Sequence, residues 1–324
     1  MIRLGVIALA AVLVALGGAS GVRAFHDPAN ECFGQSKTIV GTDANDVITG
    51  TPSDDVIKAG AGDDTVDGGG GDDIICGELG NDTILGGPGS DALSGDDGDD
   101  KLDGGEDPDG ADFDMAFFYY SPTPVDANLT TNTATGWGTD TLAGFEGLIG
   151  SNFAGDTLTG DDQVNLLDGR AGDDSLHGAG GADGMDGDAG NDLLDGGPGI
   201  DLAFYDYSPR AVVANLATKR TTGWGRDTLR AVEDLHGSQK GDVLVGNGGN
   251  NAISGHCGAD RILGGGGNDT IVGDDCPVNA GLAGADRMYG GPGRDRLNGG
   301  PKKDYADGGS GRDVCSAEKR KRCP

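Results

Sequence analysis

Aspartate recurs in this chain at every ninth residue. Cut into units of nine from Gly41, the sequence reads GTDANDVIT, GTPSDDVIK, AGAGDDTVD, GGGGDDIIC, GELGNDTIL, GGPGSDALS and GDDGDDKLD. The sixth place is Asp each time: Asp46, Asp55, Asp64, Asp73, Asp82, Asp91 and Asp100. The phase returns from Ser151 as Asp156, Asp174, Asp183, Asp192 and Asp201, and again as Asp242, Asp260 and Asp269. Eight extra residues around Cys276 and Pro277 interrupt it, and it resumes as Asp286, Asp295, Asp304 and Asp313. Asn165 and Asn251 stand at two further sixth places. Of 54 acidic residues only six are Glu. A short carboxylate repeated in glycine-rich turns offers oxygen ligands alone, which is the chemistry of a hard cation.

The rest of each unit says what must hold these carboxylates. Six residues rich in Gly, Asp and Asn favour a turn over a helix or a long strand. The triplet that follows has an aliphatic residue at the eighth place, as in Ile48, Ile57, Val66, Ile75, Ile84, Leu93 and Leu102. That is a minimal strand with one side chain facing inward. Turn and strand in alternation give a flattened, all-β parallel solenoid, with two units to a coil. Asp64 then lies over Asp82, and Asp73 over Asp91. Coils about 4.8 Å apart stack like charges, and a divalent cation between turns removes the repulsion. Irregular oxygen sites suit Ca2+; Mg2+ demands a stricter octahedron. With one aliphatic per unit the core is thin, so metal binding should appear as folding free energy.

A second, longer repeat separates the blocks. Residues 114–160 contain DMAFFYYSP, ANL, TGWG, DTL and GS; residues 201–246 contain DLAFYDYSP followed by the same four. Phe117 pairs with Phe204, Asn128 with Asn215, Trp137 with Trp224 and Glu146 with Glu233. The expected organisation is a signal peptide at 1–24, a cap at 25–40, nonapeptide block one at 41–104 and an aromatic spacer at 105–150. Block two follows at 151–200, a second spacer at 201–237, block three at 238–316 with its insertion near 274–283, and a basic tail at 317–324.

The units Gly68–Cys76, Gly86–Ser94, Gly196–Phe204, Gly264–Val272 and Gly290–Asn298 resemble the Gly-Gly-x-Gly-x-Asp-x-aliphatic-x repeat of the hemolysin-type (RTX) calcium-binding family. The resemblance implies a right-handed parallel β-roll, with Ca2+ held by the sixth-place Asp residues and by turn carbonyls. Some units depart from the pattern. Asn165 and Asn251 lack the charge, Gly41–Lys58 lacks the fourth-place Gly, and Lys302 and Lys303 crowd Asp304. The Gly-Trp-Gly spacers also resemble segments between RTX blocks. The composition, with paired cysteines, is similar to that of exported actinobacterial proteins.

Export is the expectation from the N-terminus. Arg3 precedes an apolar run, Leu4–Leu16, and Val22-Arg23-Ala24 offers cleavage after Ala24. That run is short of the ~20 residues needed to span a bilayer, and no later stretch is apolar enough. Six cysteines in an oxidising compartment favour disulfides. They allow fifteen pairings, among which the sequence does not choose; neighbours in sequence (32–76, 257–276, 315–323) are the working guess. The formal charge of −31 excludes nucleic acid as a partner, because phosphate is repelled. No His-Glu-x-x-His, Gly-x-Ser-x-Gly or P-loop lysine occurs, and repeats with their spacers use nearly the whole chain. The sequence therefore reads as a secreted, non-catalytic, Ca2+-binding repeat protein with a structural, adhesive or matrix role. The alternative is an extracellular enzyme or binder acting on polysaccharide through the spacers. Trp137 and Trp224 are expected to pack inside a wider coil, and His26, His177, His236 and His256 to lie on the surface. Lys319-Arg320-Lys321-Arg322 is expected to be a solvated end.

Overall fold

In the computed structural model, residues 31–33, 35–36, 38–105, 112–153, 155–276 and 282–323 are described. The expected signal peptide, with cleavage after Ala24, lies outside them. The described residues fall into two compact units, residues 31–179 and residues 180–323. Neither contains a helix, so none is long and apolar enough to cross a membrane.

In the unit of residues 31–179, the eighth-place aliphatics build two facing parallel sheets. Val47–Thr49, Thr65–Asp67, Thr83–Leu85 and Lys101–Asp103 pair in strict register, Ile48 beside Val66, Ile84 and Leu102. On the other face Val56–Ala61, Ile74–Leu79 and Ala92–Asp97 align Ile57, Ile75 and Leu93. Paired residues are 18 apart, so two nonapeptides make one coil. The short strands read exposed, buried, exposed. A single file of aliphatics per face forms the core, and Ile57, Ile75 and Leu93 are fully buried. Each such side chain contributes about 1.5–3 kcal/mol, and nine residues must be ordered to bury it.

The first spacer joins both faces and keeps purely parallel order on one of them. Met115–Phe117 and Gly147–Ile149 continue the parallel stack, followed by Leu166–Asp168. Opposite, Thr139–Ala143 pairs with Lys101–Asp103 in parallel. It then runs antiparallel to Thr133–Thr135, which runs antiparallel to Asp126–Asn128. Asp126–Asn128 resumes parallel pairing with Thr157–Thr159. The spacer is thus a coil carrying an extra hairpin.

The unit of residues 180–323 repeats the scheme. Gly184–Asp186, Leu202–Phe204, Asp234–His236, Ala252–Ser254, Thr270–Val272, Arg296–Asn298 and Val314–Ser316 form one parallel face. Val213–Asn215 and Arg220–Thr222 form the hairpin of the second spacer. Parallel pairing then runs through Val243–Val245, Arg261–Leu263, Arg287–Gly293, Tyr305–Gly311 and Lys319–Lys321. Asn132 and Lys219, at matching hairpin turns, both take a left-handed backbone, φ 58° and 60°.

Three expectations need comment. The disulfides join Cys32–Cys76, Cys257–Cys276 and Cys315–Cys323, the neighbour pairing. The tryptophans are half-buried and outside the core. Each Gly-Trp-Gly forms the bend at a strand end, while Val125, Ala127, Leu129 and Leu142, with Val212, Ala214, Leu216 and Leu229, fill the interior. The histidine expectation fails at His236, which is 6% exposed because carboxylates from distant segments surround its ring.

Candidate metal centre

The sixth-place aspartates form ladders along the coil edges. The backbone N–H of Asp46 donates to Asp64 Oδ1 at 2.7 Å, that of Asp64 to Asp82 at 2.8 Å, and that of Asp82 to Asp100 at 2.8 Å. On the opposite edge Asp55 donates to Asp73, and Asp73 to Asp91, both at 2.8 Å. Asp64 therefore lies over Asp82 and Asp73 over Asp91, as the 18-residue coil requires. In the other unit Asp242 donates to Asp260, Asp260 to Asp286 and Asp286 to Asp304. Asn251 donates to Asp269, Asp269 to Asp295 and Asp295 to Asp313. Asp156 donates to Asp174, and Asp183 to Asp201. Asp192 donates to Asp227.

Fifth-place side chains stitch the coils in the reverse sense. Asn45 accepts from the N–H of Asp63, Asp63 from Asn81 and Asn81 from Asp99, one coil later each time. A sixth-place carboxylate therefore binds the preceding coil, and a fifth-place group binds the following one.

The second carboxylate oxygen divides the repeats into two kinds. In the leading coil of each block it caps its own turn. Asp46 and Asp55 Oδ2 accept from the N–H of Thr42 and Thr51 at 2.6 and 2.7 Å. Asp156 and Asp242 do the same for Ser151 and Ser238 at 2.6 and 2.5 Å. Asn165 and Asn251 use Oδ1 on Asp161 and Asn247. Their Nδ2 donates to the carbonyls of Glu146 and Glu233, which a carboxylate cannot do.

Interior repeats turn that second-place N–H away. Their second residue has a left-handed backbone, supplied by Gly69 (φ 105°) and enforced even on Glu78 (φ 80°) and Asp96 (φ 66°). The carboxylate then loses its own-turn donor. The buried Oδ2 of Asp64, Asp73, Asp82, Asp91 and Asp100 accepts no hydrogen bond, and neither does that of Asp201, Asp260, Asp286, Asp295, Asp304 and Asp313. Asp174, Asp183, Asp192 and Asp269 occupy the same buried place. Asp286 differs in one respect: the insertion separates it from its turn, and its Oδ2 faces Gly273.

In several hollows the Oδ2 faces another acceptor. A Cβ built on Gly86 would stand 2.2 Å from Asp91 Oδ2 and 2.6 Å from the Gly104 carbonyl oxygen. On Gly290 it would stand 2.3 Å from Asp295 Oδ2 and 2.7 Å from the Gly308 oxygen. First-place glycine thus leaves a hollow shared by a carboxylate Oδ2 that accepts no hydrogen bond and a carbonyl of the next coil, which at Gly104 also accepts from the Gly87 N–H. An all-oxygen set suits a hard cation. The electrostatics agree. Burial, reinforced by the stacked carboxylates, pushes Asp73 up to about 6, and Asp82, Asp91 and Asp100 up to about 7. The same causes push Asp286 to about 7 and Asp260 to about 9. Burial would raise Asp55 too, but the Thr51 and Thr38 donors hold it below the ordinary value.

The ladders also recruit residues outside the nine-residue phase. Asp91 donates to Asp114, and Asp114 to Glu146 Oε2; Asp100 donates to Asp140. Asp201 ends on Glu233 Oε2 and Asp304 on Glu318 Oε2. Three of the chain's six glutamates thus receive the last N–H of a run, where a longer side chain spans a wider gap.

A family model for the RTX calcium-binding nonapeptide repeat in four copies matches residues 40–75, 77–111, 152–185, 185–203, 236–271 and 280–315. These stretches cover more than half of the chain and leave out the hairpins of both spacers. No curated protein matches the sequence significantly.

Proposed function

Since the chain belongs to the RTX calcium-binding repeat family, we propose that its interior turns hold Ca2+ between successive coils, and that this uptake folds and stiffens the rolls. The observation that carries the reading is the row of buried Oδ2 atoms of Asp64, Asp73, Asp82, Asp91, Asp100, Asp201, Asp260, Asp286, Asp295, Asp304 and Asp313, which accept no hydrogen bond. We assign the interior sixth-place aspartates, Asp174, Asp183, Asp192 and Asp269 among them, as ligands, with carbonyls such as those of Gly86 and Gly104. Asp46, Asp55, Asp156 and Asp242 serve instead as caps of their own turns. Bound Ca2+ supplies the positive charge that neutralises the stacked carboxylates. The protein acts outside the cell, where Ca2+ reaches the range in which such modules bind. Its role there is structural or adhesive, without catalysis of its own. Three disulfides support an oxidising location.

Far-UV circular dichroism of the chain from residue 25 tests this, first in chelator, then through a Ca2+ titration with Mg2+ as control. A cooperative gain of β signal with Ca2+ alone is expected. A chain fully folded in chelator at neutral pH would overturn the reading.

One observation favours an additional partner. Trp137 and Trp224 sit half-buried at equivalent bends, leaving an indole face for a sugar ring. Loss of polysaccharide retention in a Trp137→Ala/Trp224→Ala double variant is the expected result.

A further inference from the structure

The unit of residues 180–323 holds a cluster of different chemistry. His236 ends a strand of the parallel face and is buried. Its Nδ1 meets Asp206 Oδ1, and its Nε2 lies 3.2 Å from Asp275 Oδ2. The other oxygen of Asp275 lies 3.0 Å from His256 Nδ1. The two imidazole centroids are 4.8 Å apart, and the Ser254 hydroxyl donates to Asp275 Oδ2 at 2.8 Å. The Cys257–Cys276 disulfide joins the residue after His256 to the residue after Asp275. Asp275 and Cys276 stand where the extra residues break the nonapeptide phase.

With Asp206 accepting a hydrogen bond from Nδ1–H of His236, a neutral ring presents its Nε2 lone pair to the Asp275 carboxylate, and a metal cation beside both turns that repulsion into coordination. Two carboxylates with two neutral imidazoles carry the charge that one dication cancels. The donor atoms of His236, His256 and Asp275 all lie within 4.8 Å of one another. His236 Nε2 and His256 Nδ1 lie 3.2 and 3.0 Å from different oxygens of Asp275, so one carboxylate stands beside both ring nitrogens and completes a three-residue donor set. Imidazole nitrogen is a poor ligand for Ca2+ or Mg2+ and a good one for zinc-class metals.

We propose that His236 Nε2, His256 Nδ1 and the Asp275 carboxylate form a transition-metal site of the zinc class, distinct from the turn carboxylates. Asp206 orients His236 through the far nitrogen, as a carboxylate behind a metal-bound histidine does. Three protein ligands leave a fourth position for water. The site clamps the interruption in the repeat to the strands carrying His236 and Ser254, alongside the disulfide.

The test is Zn2+ titration calorimetry on the full chain in saturating Ca2+, with Co2+ substitution read by its visible absorption. One Zn2+ per chain and tetrahedral Co2+ bands are expected. His256→Asn, a residue type that tolerates the left-handed backbone there (φ 67°), should abolish stoichiometric binding. Asp206→Asn should weaken it by about 10–100-fold, and His177→Asn should leave it unchanged. The Ca2+-induced circular dichroism of each variant reports whether the roll has folded. Should a variant fail to fold, the imidazole 15N shifts of His236 and His256 in the wild-type chain decide, since Zn2+ must move both. Absence of saturable Zn2+ binding, binding that survives His256→Asn, or unmoved imidazole shifts would overturn the site and leave a protonated His236 as the cluster's positive centre.

Discussion

The leading and interior coils of each block share one sequence pattern and put it to opposite uses. In a leading coil the sixth-place side chain closes its own turn, as Asp55 does on Thr51 and Asn251 on Asn247. In an interior coil the second residue flips to a left-handed backbone and the same carboxylate is left open, as at Asp82 and Asp260. Leading coils satisfy their own carboxylates; interior coils leave one carboxylate oxygen without a donor. The difference arises from one backbone dihedral, so it can be attacked from either side.

The largest effect should come from removing the metal, and it should depend on pH. Interior carboxylates are raised from an ordinary value of 3.8 to about 7 at Asp82 and about 9 at Asp260. A raised acid stabilises the fold fully below its unfolded value and loses that contribution as pH climbs through the folded one. The chelated chain should therefore lose β signal near neutrality and regain it on acidification from about pH 8 to about pH 5. With Ca2+ present the neutral-pH loss should vanish. A pH-independent chelated chain would erase the distinction between the two kinds of coil.

Asp82→Asn should come next. It places an amide in an interior hollow, so the Ca2+ midpoint should rise about tenfold or more, while the metal-free chain tolerates neutral pH better. Circular dichroism against Ca2+ measures both. Asn251→Asp makes the converse change in a leading coil. It removes the donor to the Glu233 carbonyl, 2.6 Å away, and should cost about 1–3 kcal/mol without adding a bound ion. Denaturation in saturating Ca2+ and ion stoichiometry check this. Smallest is Asp55→Asn, which keeps an acceptor for Thr51. A loss of about 0.5–1.5 kcal/mol, equal with and without Ca2+, is expected in denaturant titrations.

The period, the coil of two repeats and the stacked aspartates were legible because each rests on local spacing. The division into capped and open carboxylates was also written in the chain, at the second place. Thr42, Thr51, Ser151 and Ser238 mark capped turns, while Gly69, Gly87 and Gly265 mark open ones. The sixth place alone does not show it, because Asp stands there in capped and open turns alike. Asp114, Asp140 and Asp227 were hidden for another reason. Their ladder partners lie 23, 40 and 35 residues away, out of the nine-residue phase. Glu146 and Glu233 carried a signal, as rare residues at matching places in both spacers. His236 carried none, since Asp206 and Asp275 stand 30 and 39 residues from it and no motif links them.

Between Asp91 and Asp114 the chain takes 23 residues to return to its column, and between Asp114 and Glu146 it takes 32. Met115–Phe117 and Gly147–Ile149 nevertheless lie side by side in register. Growth in such a molecule is decoupled from fidelity. One face keeps count while the other accepts cargo, so a lineage can lengthen, trim or decorate the chain without rewriting what is already built.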